Sequence, residues 1–203
     1  VWYPMCNLEG RYGHNNPQNF AETARGNAQW NLPWGYQSGA MFNNAVTFLE
    51  YCQKYGSTKA ALEPFALNNR RNGLMVPWGY YALHEPYQLT LEDYRNGRLV
   101  EEPLVVYDCD RPIHTCHAYI FTTPERAKDM KHPPVYILAH AGTPSIRRST
   151  MFTLEEQQEE CAVQADCMLA GAGLTSEQVD VFNPYDGYIT FTQNWLEAFK
   201  WHG

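Results

Sequence analysis

Apolar residues recur at helical spacing in several stretches and gather into short unbroken runs in others. Met41, Ala45, Phe48, Leu49 and Cys52 form one stripe, which predicts an amphipathic helix from Ala40 to Tyr55 with Gly56 just past its end. Ser57 or Thr58 can cap a second helix over STKAALEPFALNNRRNGL, with Leu62, Phe65 and Ala66 facing inward and Pro64 in the first turns. Arg70 and Arg71 near its end suit the helix dipole; they could also meet an anionic ligand, and the dipole role is the expected one. Thr90 opens a short helix, LEDYRNGRLV, with Asp93 echoing a capping box. Thr153 caps LEEQQEECAVQADCMLAGAGL, whose Glu155 and Glu156 suit the N-terminus and whose Gly171 and Gly173 end it. Phe191, Trp195, Leu196 and Phe199 predict a last helix.

The unbroken runs read as strands: LVVYDCD after Pro103, AYIFT at 118–122, VYILAH at 135–140, and Val179 to Phe182. From residue 135 onward the order is strand, helix, strand, helix, as in a doubly wound α/β sheet. Asn183-Pro184 ends the last strand, because the residue before proline is held extended and proline has no ladder donor. Tyr185-Asp186-Gly187-Tyr188 follows, directly before the last helix. A turn at the carboxyl end of a strand and the N-terminus of a helix is where open α/β sheets bind ligands. Tyr185 and Asp186 are therefore the candidate functional residues; the plainer alternative is that they only shape the turn.

Composition narrows the field. The chain has 203 residues and a formal charge of −7, which argues against a nucleic-acid face. Aromatic residues make up 14%, concentrated in loops at 2–36 and 77–87, as suits contact surfaces and apolar clefts. The six cysteines, at 6, 52, 109, 116, 161 and 167, form no CxxC and are expected to be reduced packing residues in the cytoplasm. His114, Cys116 and His117 beside Asp108 and Asp110 match no standard ligand spacing, so no metal is expected. His14, in the first loop, is read as surface decoration. GxGxxG, GxxxxGK[ST] and GxSxG are all missing, which leaves dinucleotide, P-loop and α/β-hydrolase readings without their motifs. No apolar run has the length of a membrane span. Val1-Trp2-Tyr3-Pro4 and LEAFKWHG do not look like natural termini, and the chain is expected to be cut from a longer one.

PLVVYDCDRPIHTCHAYIFTT resembles the last sheet hairpin of the N-terminal half of thiolases, and YGSTKAALEPFALNNRRNGLMVPWGYY the stretch before it. GAGLTSEQVDVFNPYDGYITF resembles the strand and turn that carry the Asn-Glu-Ala-Phe motif. The nearest likeness is to sterol-carrier-type thiolases and lipid-transfer-protein-type thiolase homologues, including steroid side-chain aldolases. That resemblance implies an α/β chain with a layered αβαβα fold, of which this is the middle portion. Residues 1–122 would be the loop domain and the end of the N-terminal half, 123–134 a linker, and 135–203 the start of the C-terminal half. It implies action on acyl-CoA thioesters, with C–C bond cleavage or formation of retro-aldol or thiolytic type. CoA would be part of the substrate, with no cofactor bound covalently. A homodimer is implied, or a hetero-oligomer with an OB-fold partner.

The family's four-residue motif falls on Tyr185-Asp186-Gly187-Tyr188. The resemblance makes Tyr185 a base, as in the aldolase-like members, with Asp186 orienting its neighbours. A phenol can donate to an oxyanion or, if its pKa is lowered, take a proton from an alcohol, which is what retro-aldol cleavage requires. None of the six cysteines matches a nucleophile motif of the family. The alternative is a non-catalytic thiolase-like subunit that binds acyl-CoA or lipid and docks a partner protein.

Overall fold

The computed structural model describes residues 40–111, 113, 118–142 and 153–201. The loop at 2–36, His14, Cys6, Cys116, His114 and His117 lie outside them. Helix α1 runs Ala40–Tyr55 and ends at Gly56, whose φ of 66° places it in the left-handed region. A 3-10 turn, Lys59–Leu62, leads into α2, Glu63–Leu74, with Pro64 in its first turn, where a missing N–H is harmless. Thr58 precedes the 3-10 turn without making a side-chain cap. Two short helices follow, α3 (Tyr80–His84) and α4 (Leu91–Arg95). Thr90 caps α4 reciprocally with Asp93: the Asp93 N–H donates to Thr90 Oγ1 at 3.1 Å and the Thr90 N–H to Asp93 Oδ2 at 3.0 Å.

Strands β1 (Leu99–Glu101) and β2 (Leu104–Val105) form an antiparallel pair around a cis Glu102–Pro103 bond, with Leu99 opposite Val105 and Glu101 opposite Leu104. A 3-10 turn, Val106–Asp108, continues from β2. Beyond it lie the short helix α5 (Pro124–Ala127) and the long α6 (Leu154–Ala172), capped by Thr153 with Glu156. Gly173, at φ 67°, closes α6 in the left-handed conformation. A last 3-10 turn (Ser176–Gln178) precedes α7, Ile189–Ala198.

The core gathers Ala45 and Phe48 of α1, Leu62, Ala66 of α2, Leu89, Tyr94 of α4, Leu104, Val105 and Ile189 of α7. Leu62 and Leu104 are wholly buried, each contributing on the order of 1.5–3 kcal/mol. Helices α6 and α7 pack on one another and reach α1 through polar contacts. The Leu154 N–H donates to Glu50 Oε2 at 3.0 Å, Thr190 Oγ1 to Asn44 Oδ1 at 2.9 Å, and Tyr51 Oη to Glu197 Oε1 at 2.5 Å.

The expected strands are mostly not formed. Among the described residues the only ladder is β1–β2; LVVYDCD supplies Leu104–Val105 to it and then turns as 3-10 helix. Residues 118–122, 135–140 and 179–182 pair with no described strand; Ile120 is 81% and Val135 95% exposed, whereas Phe182 is half-buried against Phe199 and Trp201. A strand differs from a helix here in needing a neighbour for its N–H and C=O groups, and no described strand pairs with these runs.

Candidate functional site

The turn after Pro184 is held by a neighbouring segment. Tyr188 forms an isolated antiparallel bridge with Cys109, and the Asp110 N–H donates to the Gly187 carbonyl at 3.1 Å. Asp110, Arg111 and Asp186 thereby come to one cleft of about 410 Å³. Its other walls come from α2 (Ala66, Asn69, Arg70), from the aromatic segment around α3 (Val76, Tyr80, Tyr81), and from Leu89, Tyr107, Ile113 and Ile189.

The two residues singled out from the sequence part company. Asp186 lines the cleft. Partial burial pushes its carboxyl above the ordinary range against the pull of its own backbone N–H, and Asp110 adds to the rise. Tyr185 does not line it. It is 66% exposed, its ring lies 5.8 Å from that of Phe191, and its hydroxyl end folds back over Gly187. A Cβ on Gly187 would collide with that phenol, so glycine is what permits the close approach.

Three charged residues far apart in the sequence meet at the cleft: Arg70 and Arg111 line it, and Glu85 pairs with both. Arg70 is only 3% exposed; its guanidinium donates to Glu85 Oε2 at 2.9 Å and to the Glu85 carbonyl at 3.4 Å. It stacks 4.0 Å over Tyr81 and 4.8 Å over Tyr87. Arg111, 32% exposed, donates to the other oxygen of Glu85 and lies 5.7 Å over Tyr80. Burial alone would raise the Glu85 carboxyl; the Arg111 and Arg70 guanidiniums outweigh it and hold the group below the ordinary glutamate range. Arg70 is thus not a solvent-facing residue at a helix end. The dense tyrosines of PWGYYALHEPY around Glu85 were the available signal, since buried guanidinium needs both a carboxylate and aromatic faces.

The described cysteines form no disulfide with one another, and burial raises Cys52 and takes Cys161 up to about 12, so Cys161 is a protonated thiol at neutral pH. Among the described residues no His, Cys, Asp or Glu cluster could hold a metal. No described helix is long and apolar enough to cross a membrane.

No protein-family model matches the chain. It is 32% identical, over 53% of its own length and 27% of the relative's, to a steroid side-chain-cleaving aldolase of Thermomonospora curvata. It is 28% identical to the 17-hydroxy-3-oxo-4-pregnene-20-carboxyl-CoA lyase of Mycobacterium tuberculosis, covering 78% of this chain and 42% of that one. An acetyl-CoA acetyltransferase of Methanothermobacter thermautotrophicus is 25% identical over 75% of the chain and 39% of its own. The fold is shared with part of a solved Ltp2-ChsH2(DUF35) aldolase, at a TM-score of 0.70 and 22% identity, over 86% of this chain and 46% of that one. The chain spans less than half the length of each of these relatives. The likeness expected from its motifs holds: the chain's relatives are thiolase-like proteins of the lipid-transfer and aldolase type.

Proposed function

We propose that the chain is part of a thiolase-like enzyme that cleaves a C–C bond in an acyl-CoA thioester by a retro-aldol step. Two relatives are named for such cleavage, one a steroid side-chain aldolase and one a carboxyl-CoA lyase. The observation that carries the reading is the placement of Asp186 in the wall of a cleft lined by aromatic, aliphatic and charged side chains. In the step, a base removes the β-hydroxyl proton and the O–H electrons form a carbonyl. The Cα–Cβ bond breaks, and its pair passes to the thioester as an enolate that is then protonated. Tyr185 is the proposed base and Asp186 the group that orients it; the phenol reaches the cleft by swinging off Gly187 about its Cα–Cβ bond. CoA is part of the substrate, and no covalently bound cofactor enters the step.

The layered αβαβα arrangement, the linker at 123–134, a cytoplasmic location and a homodimer belong to the same proposal. So does a second subunit of OB-fold type, in keeping with the two-component aldolase whose fold the chain shares. The position of the Tyr185 hydroxyl outside the cleft favours a second reading, a thiolase-like subunit that binds acyl-CoA or lipid without catalysis and docks a partner. Tyr185→Phe in the full-length protein separates the two. Under the first reading kcat falls by roughly 10²–10⁴ with binding of the thioester kept. Unchanged turnover removes Tyr185 from the chemistry.

A further inference from the structure

The cleft lining carries charges of both signs, Arg70 and Arg111 with Asp110 and Asp186. Arg70 and Arg111 act on Glu85 and, together with Glu85, on Tyr81, whereas Asp110 acts on Asp186. Two guanidiniums there meet the one carboxylate of Glu85, and Arg111 faces a lining of tyrosines, aliphatic side chains and Asp110. One arginine would satisfy Glu85 as a structural pair. The second, partly open to the cleft, has more N–H donors than Glu85 takes, and an anion could accept the rest.

The arginines are also arranged for that task. Arg70 is buried, stacked between two tyrosine rings, and locked on Glu85. Glu85 in turn fixes Arg111, which has Tyr80 beneath it and keeps a third of its surface open. A guanidinium fork that is already oriented loses little freedom on binding an oxyanion, and its planar N–H groups match a carboxylate or phosphate in pairs.

We propose that the Arg70–Glu85–Arg111 cluster is an anion-binding subsite of the cleft, with Arg111 as the contacting residue and Arg70 and Glu85 as positioning residues. The ligand class is an organic anion with an apolar body, its carboxylate or phosphate on Arg111. The proposal rests on the acyl-CoA reading only for the two sources compared: a phosphate of the CoA portion or a carboxylate on the acyl portion.

The test is binding rather than turnover, so its failure is separate from failure of the retro-aldol reading. Coenzyme A and octanoate, which cannot be cleaved in that reaction, are titrated calorimetrically into the full-length protein and its Arg111→Gln and Arg111→Lys variants. The expected result is that Arg111→Gln weakens at least one probe by about tenfold or more, with Arg111→Lys in between because it keeps charge and loses the fork. Selective loss of coenzyme A assigns the subsite to phosphate, and selective loss of octanoate to an acyl carboxylate. Should Arg111→Gln fail to fold, Arg111→Lys carries the test, with a few-fold weakening expected and unchanged affinity overturning the proposal. Binding of neither probe to the parent protein, or equal binding to parent and Arg111→Gln, also overturns it.

Discussion

The Tyr94 hydroxyl donates to Asp108 Oδ1 at 2.5 Å, and both side chains are wholly buried. The other carboxylate oxygen accepts the Val105 N–H at 2.7 Å, with Lys59 Nζ at 3.7 Å. One carboxylate thus ties α4, the end of β2 and the turn before α2 together. It sits directly before Cys109 and Asp110, the residues that pair with the 187–188 backbone at the cleft. Burial pushes the Asp108 carboxyl up even though Tyr94 and Val105 oppose it, so its donors are needed to hold the charge there. Tyr94→Phe removes one donor without changing volume much and is expected to cost about 2 kcal/mol in urea unfolding. An unchanged midpoint would show that the pair is not holding these elements.

Glu85 ties stability to acid pH. Its folded pKa lies below the ordinary glutamate value, so it binds its proton less tightly when folded. The stability it contributes is fully present above that ordinary value, about 4.3, and is lost as pH falls through the lower folded value. Urea unfolding followed across this window should show a falling midpoint in the parent protein and a flatter profile in Glu85→Gln. At neutral pH Glu85→Gln should itself destabilise by about 3 kcal/mol, because it leaves two guanidiniums facing each other without a carboxylate.

The ends of α6 give two independent local tests. Thr153→Ala removes the acceptor for the Glu156 N–H at 3.2 Å and should cost about 1 kcal/mol. Gly173→Ala meets no atom within 4 Å, so any loss there reports the left-handed backbone alone, about 1 kcal/mol. If Gly173→Ala were neutral, the residue would not be held at positive φ in solution.

Gly187→Ala separates the placement of Tyr185 from its chemistry. The new methyl would occupy the space of the phenol, which is exposed and can swing away. The expected outcome is a stability change under about 1 kcal/mol together with an altered Tyr185 ring environment by NMR. If the ring signals were unmoved, the phenol would not lie over residue 187.

The helices were legible because their signals are local. Thr90 with Asp93, Thr153 with Glu156, and Gly56 and Gly173 each act within a few residues: the two threonines begin their helices and the two glycines end theirs, while Gly171, also expected to end α6, lies inside it. The runs at 118–122, 135–140 and 179–182 have strand composition, but pairing is a property of the neighbour and not of the run. The site was half legible for the same reason. Asp186 could be found from a strand-turn-helix pattern, whereas Glu85 meets Arg70 and Arg111 across 15 and 26 positions, and no spacing rule links them. Arg70 and Arg71 look alike in sequence, yet one is buried on Glu85 and the other is exposed on Asn68 at 2.7 Å.

The central claim is tested most directly by incubating the full-length protein, with any partner subunit that co-purifies, with a β-hydroxyacyl-CoA whose β-carbon is tertiary, and identifying the products by mass spectrometry. Retro-aldol cleavage predicts a ketone and a shortened acyl-CoA in equal amounts, formed without free CoA as co-substrate. Recovery of the intact thioester, bound but uncleaved, would contradict the enzyme reading and leave a thiolase-like binding subunit.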